Sequence, residues 1–223
     1  MRVSRKIGSA IGVFMIAAAV PAAAQTPAAP ASSPAATKFS IGVLAGASSV
    51  QNVGGLAGAQ ITYNVTDHVR VAAEGVWMQD LVSCARLAAI AGFATYLGNA
   101  QGKAATATLD VPTTSGNVEL QYVFGSSNLH PYLAVGGGIA HMVTRPTFTL
   151  AGADVTTSLA TYGITLGSDL SGSVDKLSIN GGFGVLIDRN KWTIDLGARV
   201  NSIQTDGQKT NAARAHIGLA FKF

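Results

Sequence analysis

Eight segments of this chain alternate apolar and polar residues with a period of two, and that period is what most constrains its fold. The last stretch shows it plainly. Ala215, Ile217, Leu219, Phe221 and Phe223 form an apolar set, and Arg214, His216, Gly218, Ala220 and Lys222 form the other. Successive strand side chains point to opposite faces, so such a segment is a strand with one greasy and one polar face.

The same alternation predicts seven earlier strands. Phe39, Ile41, Val43 and Ala45 open the first, and Ala57, Ala59, Ile61 and Tyr63 the second. In the third, Val69, Val71, Ala73, Gly75 and Trp77 alternate with Arg70, Ala72, Glu74, Val76 and Met78. The fourth sets Val118, Leu120, Tyr122 and Phe124 against Asn117, Glu119, Gln121 and Val123, and Pro131–Met142 is the fifth. Leu177, Ile179, Phe183, Val185 and Ile187 share a face of the sixth. Trp192, Ile194, Leu196, Ala198 and Val200 alternate with Thr193, Asp195, Gly197, Arg199 and Asn201 in the seventh.

Two segments precede these strands. Arg2, Arg5 and Lys6, the apolar run Ile7–Val20 and the small residues Ala22–Ala24 make residues 1–24 a secretory signal peptide. A membrane anchor is the alternative, but a run of about 14 residues is shorter than the ~20 a spanning helix needs. Residues 25–37, rich in Pro, Ala and Ser, are expected to be a disordered spacer. Residues 38–223 then form one domain.

Losing the three signal cations takes the formal +4 close to neutral, so the basic isoelectric point is no argument for a nucleic-acid partner. The single Cys84 precludes an intrachain disulfide and is expected to be a small buried or loop residue.

The connections after strands two, four and six are short. The two longest follow strands three and five. One of these, Leu81–Gly98, carries Leu87, Ile90, Phe93, Ala94 and Leu97 at helical spacing and is expected as a short helix over a barrel mouth. The other, Val143 to about Val174, is rich in Thr, Ser and Gly and is expected as a loop. Strands of about 10 residues match the ~9–11 of a tilted transmembrane strand.

A soluble barrel would show the same alternation with its apolar set turned inward. Two features argue for lipid outside. The opposite set carries many charges, and Tyr63, Tyr122, Phe124, Trp192, Phe221 and Phe223 gather beside the short turns or the C-terminus. They read as an aromatic girdle with Trp77 as its partner at the other rim.

With its signal peptide, eight strands, turn and loop asymmetry and terminal Phe223, the chain resembles the small bacterial outer-membrane β-barrel proteins. These include the OmpA transmembrane domain, OmpX, OmpW and the opacity-type surface antigens. Pro131–Gly138 is similar to a strand start common in that group. The resemblance implies an all-β, eight-stranded antiparallel up-and-down transmembrane β-barrel with short periplasmic turns and longer extracellular loops. It implies residence in the outer membrane after export, contact with outer-membrane lipid, and engagement of the barrel-assembly machinery through Phe223, Phe221 and Leu219. No peptidoglycan-binding domain like that of full-length OmpA is expected after the barrel.

An eight-stranded barrel is just wide enough for side chains to fill it. Glu74 and Glu119 are expected to project from one wall toward Arg199 and Arg214 on the other, with Arg70, Asp195 and His216 nearby. The expectation is a charge network that closes or narrows the lumen. Charges hydrated by lumen water are the bland alternative.

Lipid A deacylases and palmitoyltransferases are enzymes among such barrels, and the deacylases need a His-x-Ser pair, so that the His can activate the Ser. Neither His141 nor His216 has a Ser two residues on, and no cofactor or metal-ligand spacing is present. The expected role is structural or surface-interacting, with Leu81–Lys103 and Arg145–Ser173 exposed to an extracellular ligand or surface. A narrow porin-like or OmpW-like channel is the alternative, and a lipid-modifying enzyme stands third.

Overall fold

The structure, a computed structural model, describes residues 38–125, 128–205 and 208–223. The expected signal peptide and spacer lie outside the described residues.

Among the described residues ten strands form in chain order: β1 (Phe39–Ser49), β2 (Val53–Asn64), β3 (Val69–Met78), β4 (Ala105–Asp110), β5 (Thr113–Val123), β6 (Leu129–Leu150), β7 (Ala153–Asp154), β8 (Gly172–Arg189), β9 (Trp192–Thr205) and β10 (Gln208–Lys222). Eight of them close a ring in the order β1, β2, β3, β5, β6, β8, β9, β10 and back to β1, with every neighbour antiparallel. Each expected strand is one of these eight. Closure leaves the wall without an unpaired edge, which is what a sheet in hydrocarbon requires.

The alternation sorts inside from outside as expected. Ile41, Val43, Ile61, Leu120, Leu133, Val135, Ile139, Leu177, Phe183, Val200, Ile217 and Leu219 are all exposed on the outer wall. Arg70, Glu74, Glu119, Asp195, Arg199 and Arg214 are buried in the lumen. A barrel with greasy side chains outside and charges inside is one whose solvent is lipid.

The long connections differ from expectation. The Thr-rich stretch after the fifth strand is not all loop. β6 runs for 22 residues, and its last six pair with β4 on one side, with β7 beside its end. Phe148 and Leu150 continue its inward alternation, so the strand has a core to follow beyond the barrel rim. The remainder holds a 3-10 turn at Thr156–Tyr162 before β8 begins at Gly172.

The helix expected at Leu81–Gly98 is α1, Cys84–Gln101. Its start is displaced because Ser83 is the N-cap, accepting a hydrogen bond from the Arg86 amide at 3.4 Å. Leu81 and Val82 stay outside the helix yet are buried. Gly102 ends it at φ 58°, a conformation only glycine adopts cheaply. Arg86, Ile90, Ala94 and Leu97 form its buried face. Cys84, the first helical residue, is exposed rather than buried, because it lies off that face.

The interior has three storeys. At the turn end Val123, Tyr132, Ala134 and Leu186 pack together. The charged residues occupy the middle. At the loop end Leu56, Val76, Met78, Met142 and Ile203 pack with Leu81, Ile90, Leu97, Val111 and Phe148 in one apolar core. Each large side chain buried there contributes about 1.5–3 kcal/mol, enough to hold α1 down as a lid.

Candidate functional site

The storey of interest is the charged one. Opposite walls supply its members: β3 and β5 face β9 and β10 across the ring. Glu119 on β5 is its hub. Arg199 Nε donates to Glu119 Oε2 at 3.2 Å, and Arg214 Nη2 to Glu119 Oε1 at 3.2 Å. Arg214 Nη2 also donates to Glu74, which accepts a second bond from Asn117 Nδ2 at 3.2 Å. Gln121 Nε2 donates to Glu119 at 3.1 Å, and its own Oε1 accepts from Arg70 Nε at 2.7 Å.

Asp195 organises the turn-end half. It accepts a hydrogen bond from the Tyr132 hydroxyl at 2.7 Å, and Arg70 Nη2 and His216 Nε2 stand 3.9 and 3.7 Å from its other oxygen. Tyr132 joins the two halves, because Arg199 Nη2 donates to its hydroxyl at 3.0 Å. The guanidinium groups of Arg199 and Arg70 also lie 5.0 and 5.8 Å from its ring centroid. Three arginines thus face three carboxylates, the pairing that buried charge requires.

All seven residues singled out in the sequence meet here, directly or through one intermediary. Tyr132, Gln121 and Asn117 were missed. For Gln121 and Asn117 the signal was strand parity, since both share the inward face with Glu119. Tyr132 is an aromatic on the inward parity of β6, and glycines make its room. It pairs with Gly184, which pairs with Gly197, which pairs with His216. A Cβ on Gly184 would sit 2.6 Å from the Tyr132 hydroxyl, and one on Gly197 would sit 2.8 Å from it.

The aromatics also take their places. Tyr122 packs edge-on against Phe124 at 4.9 Å, Trp192 against Phe221 at 5.0 Å and Phe221 against Phe223 at 5.1 Å. Phe39 adds a contact with Tyr63 that the sequence reading did not include. All lie at the turn end, on the outer face. Trp77 is exposed near the other end of β3.

The arrangement is a ring of lipid-facing side chains around a filled, charged lumen. It matches the structure of Neisserial surface protein A over 83% of this chain and 96% of that one, at 14% identity and a TM-score of 0.51. The fold is that of a small outer-membrane β-barrel.

Two further outer-membrane barrels are similar. The N-terminal domain of OprF from Pseudomonas aeruginosa is 18% identical, with 82% of this chain and 97% of that chain covered and a TM-score of 0.44. Ail, the attachment invasion locus protein of Yersinia pestis, is 12% identical, with 82% and 97% covered and a TM-score of 0.42. No protein-family profile and no curated protein sequence matches the chain.

One histidine gains a partner that sequence proximity hid. His141 Nδ1 lies 2.7 Å from Asp175 Oδ1 across the β6–β8 pair, on the outer face of the barrel. Thr114 is its neighbour on β5, but no hydrogen bond among the described residues joins Thr114 to the ring.

Proposed function

We propose that this chain is an outer-membrane barrel with a shut lumen, whose role is structural or surface-interacting and is carried by its loop-end elements. Residues 1–24 serve as its export signal, residues 25–37 as a spacer, and residues 38–223 as the barrel. The observation that supports this reading is the stacking of two seals. The charged storey ties opposite walls together, and above it the apolar core under α1 fills the loop-end mouth. The aromatic girdle fixes the barrel's depth in the bilayer, and Leu219, Phe221 and Phe223 present the assembly signal.

A narrow channel is the second reading, and one observation favours it. Ser48, Ser178, Asn180 and Asn201 are buried in the lumen with side-chain polar atoms that meet no protein partner. Buried polar groups need partners, and water is the available one. Planar-bilayer conductance of the refolded protein separates the two. The shut-lumen reading expects negligible current from the whole protein, and current only once Leu81–Lys103 is replaced by a short Gly/Ser linker and the charged storey is opened by Glu119→Ala with Arg214→Ala. Steady current from the intact protein overturns it.

A further inference from the structure

The barrel wall has no free edge, yet the small sheet above it has one. β4 pairs with β6 on one side and, among the described residues, with no strand on the other. Unpaired strand edges are ready templates for another strand, and proteins usually blunt them with Lys, Pro, a bulge or a covering element. β4 reads Ala-Thr-Ala-Thr-Leu-Asp. It carries neither Lys nor Pro, and its sole charge is the terminal Asp110.

We propose that this edge pairs antiparallel with β4 of a second copy of the chain. The inference rests on the surface-interaction reading above and names its partner. Its first support is self-complementarity, which a two-fold interface demands. Antiparallel pairing about Ala107 sets Thr106 opposite Thr108 of the second copy. Directly opposed threonines are favourable cross-strand pairs. The sheet already uses this chemistry, since Thr106 Oγ1 lies 2.7 Å from Thr149 Oγ1 on β6 and Thr108 pairs with Thr147. Pairing the two edges continues each threonine row across four strands.

The free stretch has a definite end. At Val111, one residue past β4, the same side is already taken by the Leu81 amide, 3.0 Å from the Val111 oxygen, and by Asp80, which accepts from the Val111 amide, so the pairing spans Ala105–Leu109.

The second support is the neighbouring helix. α1 packs against β4, and its one charged residue, Arg86, is buried. Its solvent side therefore presents Ala88, Ala91, Gly92, Thr95, Tyr96 and Asn99 without a charge. Depletion of charge is the mark of an interface centre.

The test uses refolded full-length barrel in detergent micelles. Heat-modifiable gel migration verifies folding of each variant, and light scattering corrected for bound detergent gives the protein mass. The expected mass is that of a dimer, and Thr108→Lys, which brings a cation to the two-fold, is expected to raise the dimer dissociation constant at least tenfold. In a Cys84→Ser background, mixing Thr106→Cys with Thr108→Cys is expected to give a disulfide dimer containing one of each. Thr147→Cys, on the same face but one strand from the edge, is expected to stay uncrosslinked.

A monomeric mass at every concentration overturns the proposal. So does crosslinking through Thr147→Cys as efficient as that of the mixed pair. A monomer with a non-conducting lumen would defeat this inference alone. A conducting dimer would defeat the shut-lumen reading alone.

Discussion

Arg214 reaches across the lumen to Glu119, with its Nη2 3.2 Å from Oε1 although 95 residues separate the two in the chain. The bond runs from β10, which closes the ring on β1, to the strand opposite it. Both side chains are about 1% exposed, so the pair sits where water screens little. Such a contact ties the two walls and holds the barrel's cross-section. The closing strand is therefore anchored twice, by its ladder to β1 and by its arginine to the far wall.

Glu119→Gln should be the most damaging single substitution in the lumen. It removes the carboxylate that serves Arg199 and Arg214 together and leaves two buried cations short of a counter-charge. Breaking a buried pair from one side costs about 3–5 kcal/mol. Urea-dependent unfolding in lipid vesicles, read by heat-modifiable migration, measures it. The double variant Glu119→Gln/Arg199→Gln should recover part of the loss, since one orphaned cation goes with its partner. A loss under about 1 kcal/mol, the ceiling of most exposed pairs, would mean that the lumen is hydrated enough to screen these charges.

Gly184→Ala and Gly197→Ala should each destabilise the barrel. The new methyl meets the hydroxyl end of Tyr132 and the Leu196 carbonyl at Gly184, and the His216 ring and the Tyr132 hydroxyl at Gly197. The tyrosine cannot move without leaving Asp195 and Arg199. Overpacking of this kind costs about 1–3 kcal/mol. Gly116→Ala is the control, since nothing lies within 4 Å of its Cβ position. Adding Tyr132→Phe to Gly184→Ala should relieve part of the clash if the hydroxyl is the obstacle. Thermal midpoints of the four variants decide it. Equal effects at Gly116 and Gly184 would detach the glycines from the tyrosine.

Asp80 supplies a pH test outside the membrane wall. Burial raises its carboxyl above the ordinary value of 3.8, against the lowering effect of the hydrogen bond it accepts from the Val111 amide at 3.0 Å. A carboxyl whose folded-state pKa is raised opposes folding in full above that pKa; the cost fades as pH falls through the folded-state value and is gone below the unfolded one. Asp80→Asn keeps an acceptor for Val111 and loses the charge. Hydrogen exchange of Leu81 and Val111 should therefore slow in Asp80→Asn at neutral pH, and the difference should shrink in acid. Faster exchange at neutral pH would show that the charge itself strengthens the Val111 bond.

What could be read from sequence was whatever depends on parity. Arg214 and Phe221 differ by an odd number of positions, so one faces the lumen and the other the lipid, and the dyad settles this without knowledge of any contact. Tyr132 escaped because its place depends on Gly184 and Gly197, two strands' worth of absent side chains that only register brings together. The His141–Asp175 pair escaped for the same reason, being neighbours across a strand pair and 34 positions apart in the chain. β4 was hidden by the Ala- and Thr-rich composition of its segment. Two of the three residues on its apolar parity are alanine, and its partner is the Thr-rich end of β6 beyond the barrel rim.

Leu97→Ala should open the lid without loosening the wall. Leu97 is fully buried in the apolar core beneath α1, while α1 itself belongs to no barrel hydrogen-bond ladder. A buried Leu→Ala change costs about 2–5 kcal/mol through lost transfer energy and the cavity left behind. That loss falls on the helix, because elements with few ties to a framework open locally, ahead of global unfolding. Amide exchange should accelerate across α1 and β4 by the factor this energy dictates, while exchange in β5 and β10 stays at wild-type rates and the urea midpoint of the barrel holds. If α1 and β10 accelerate together, the lid and the wall are one cooperative unit, and the upper seal cannot work independently of the charged storey.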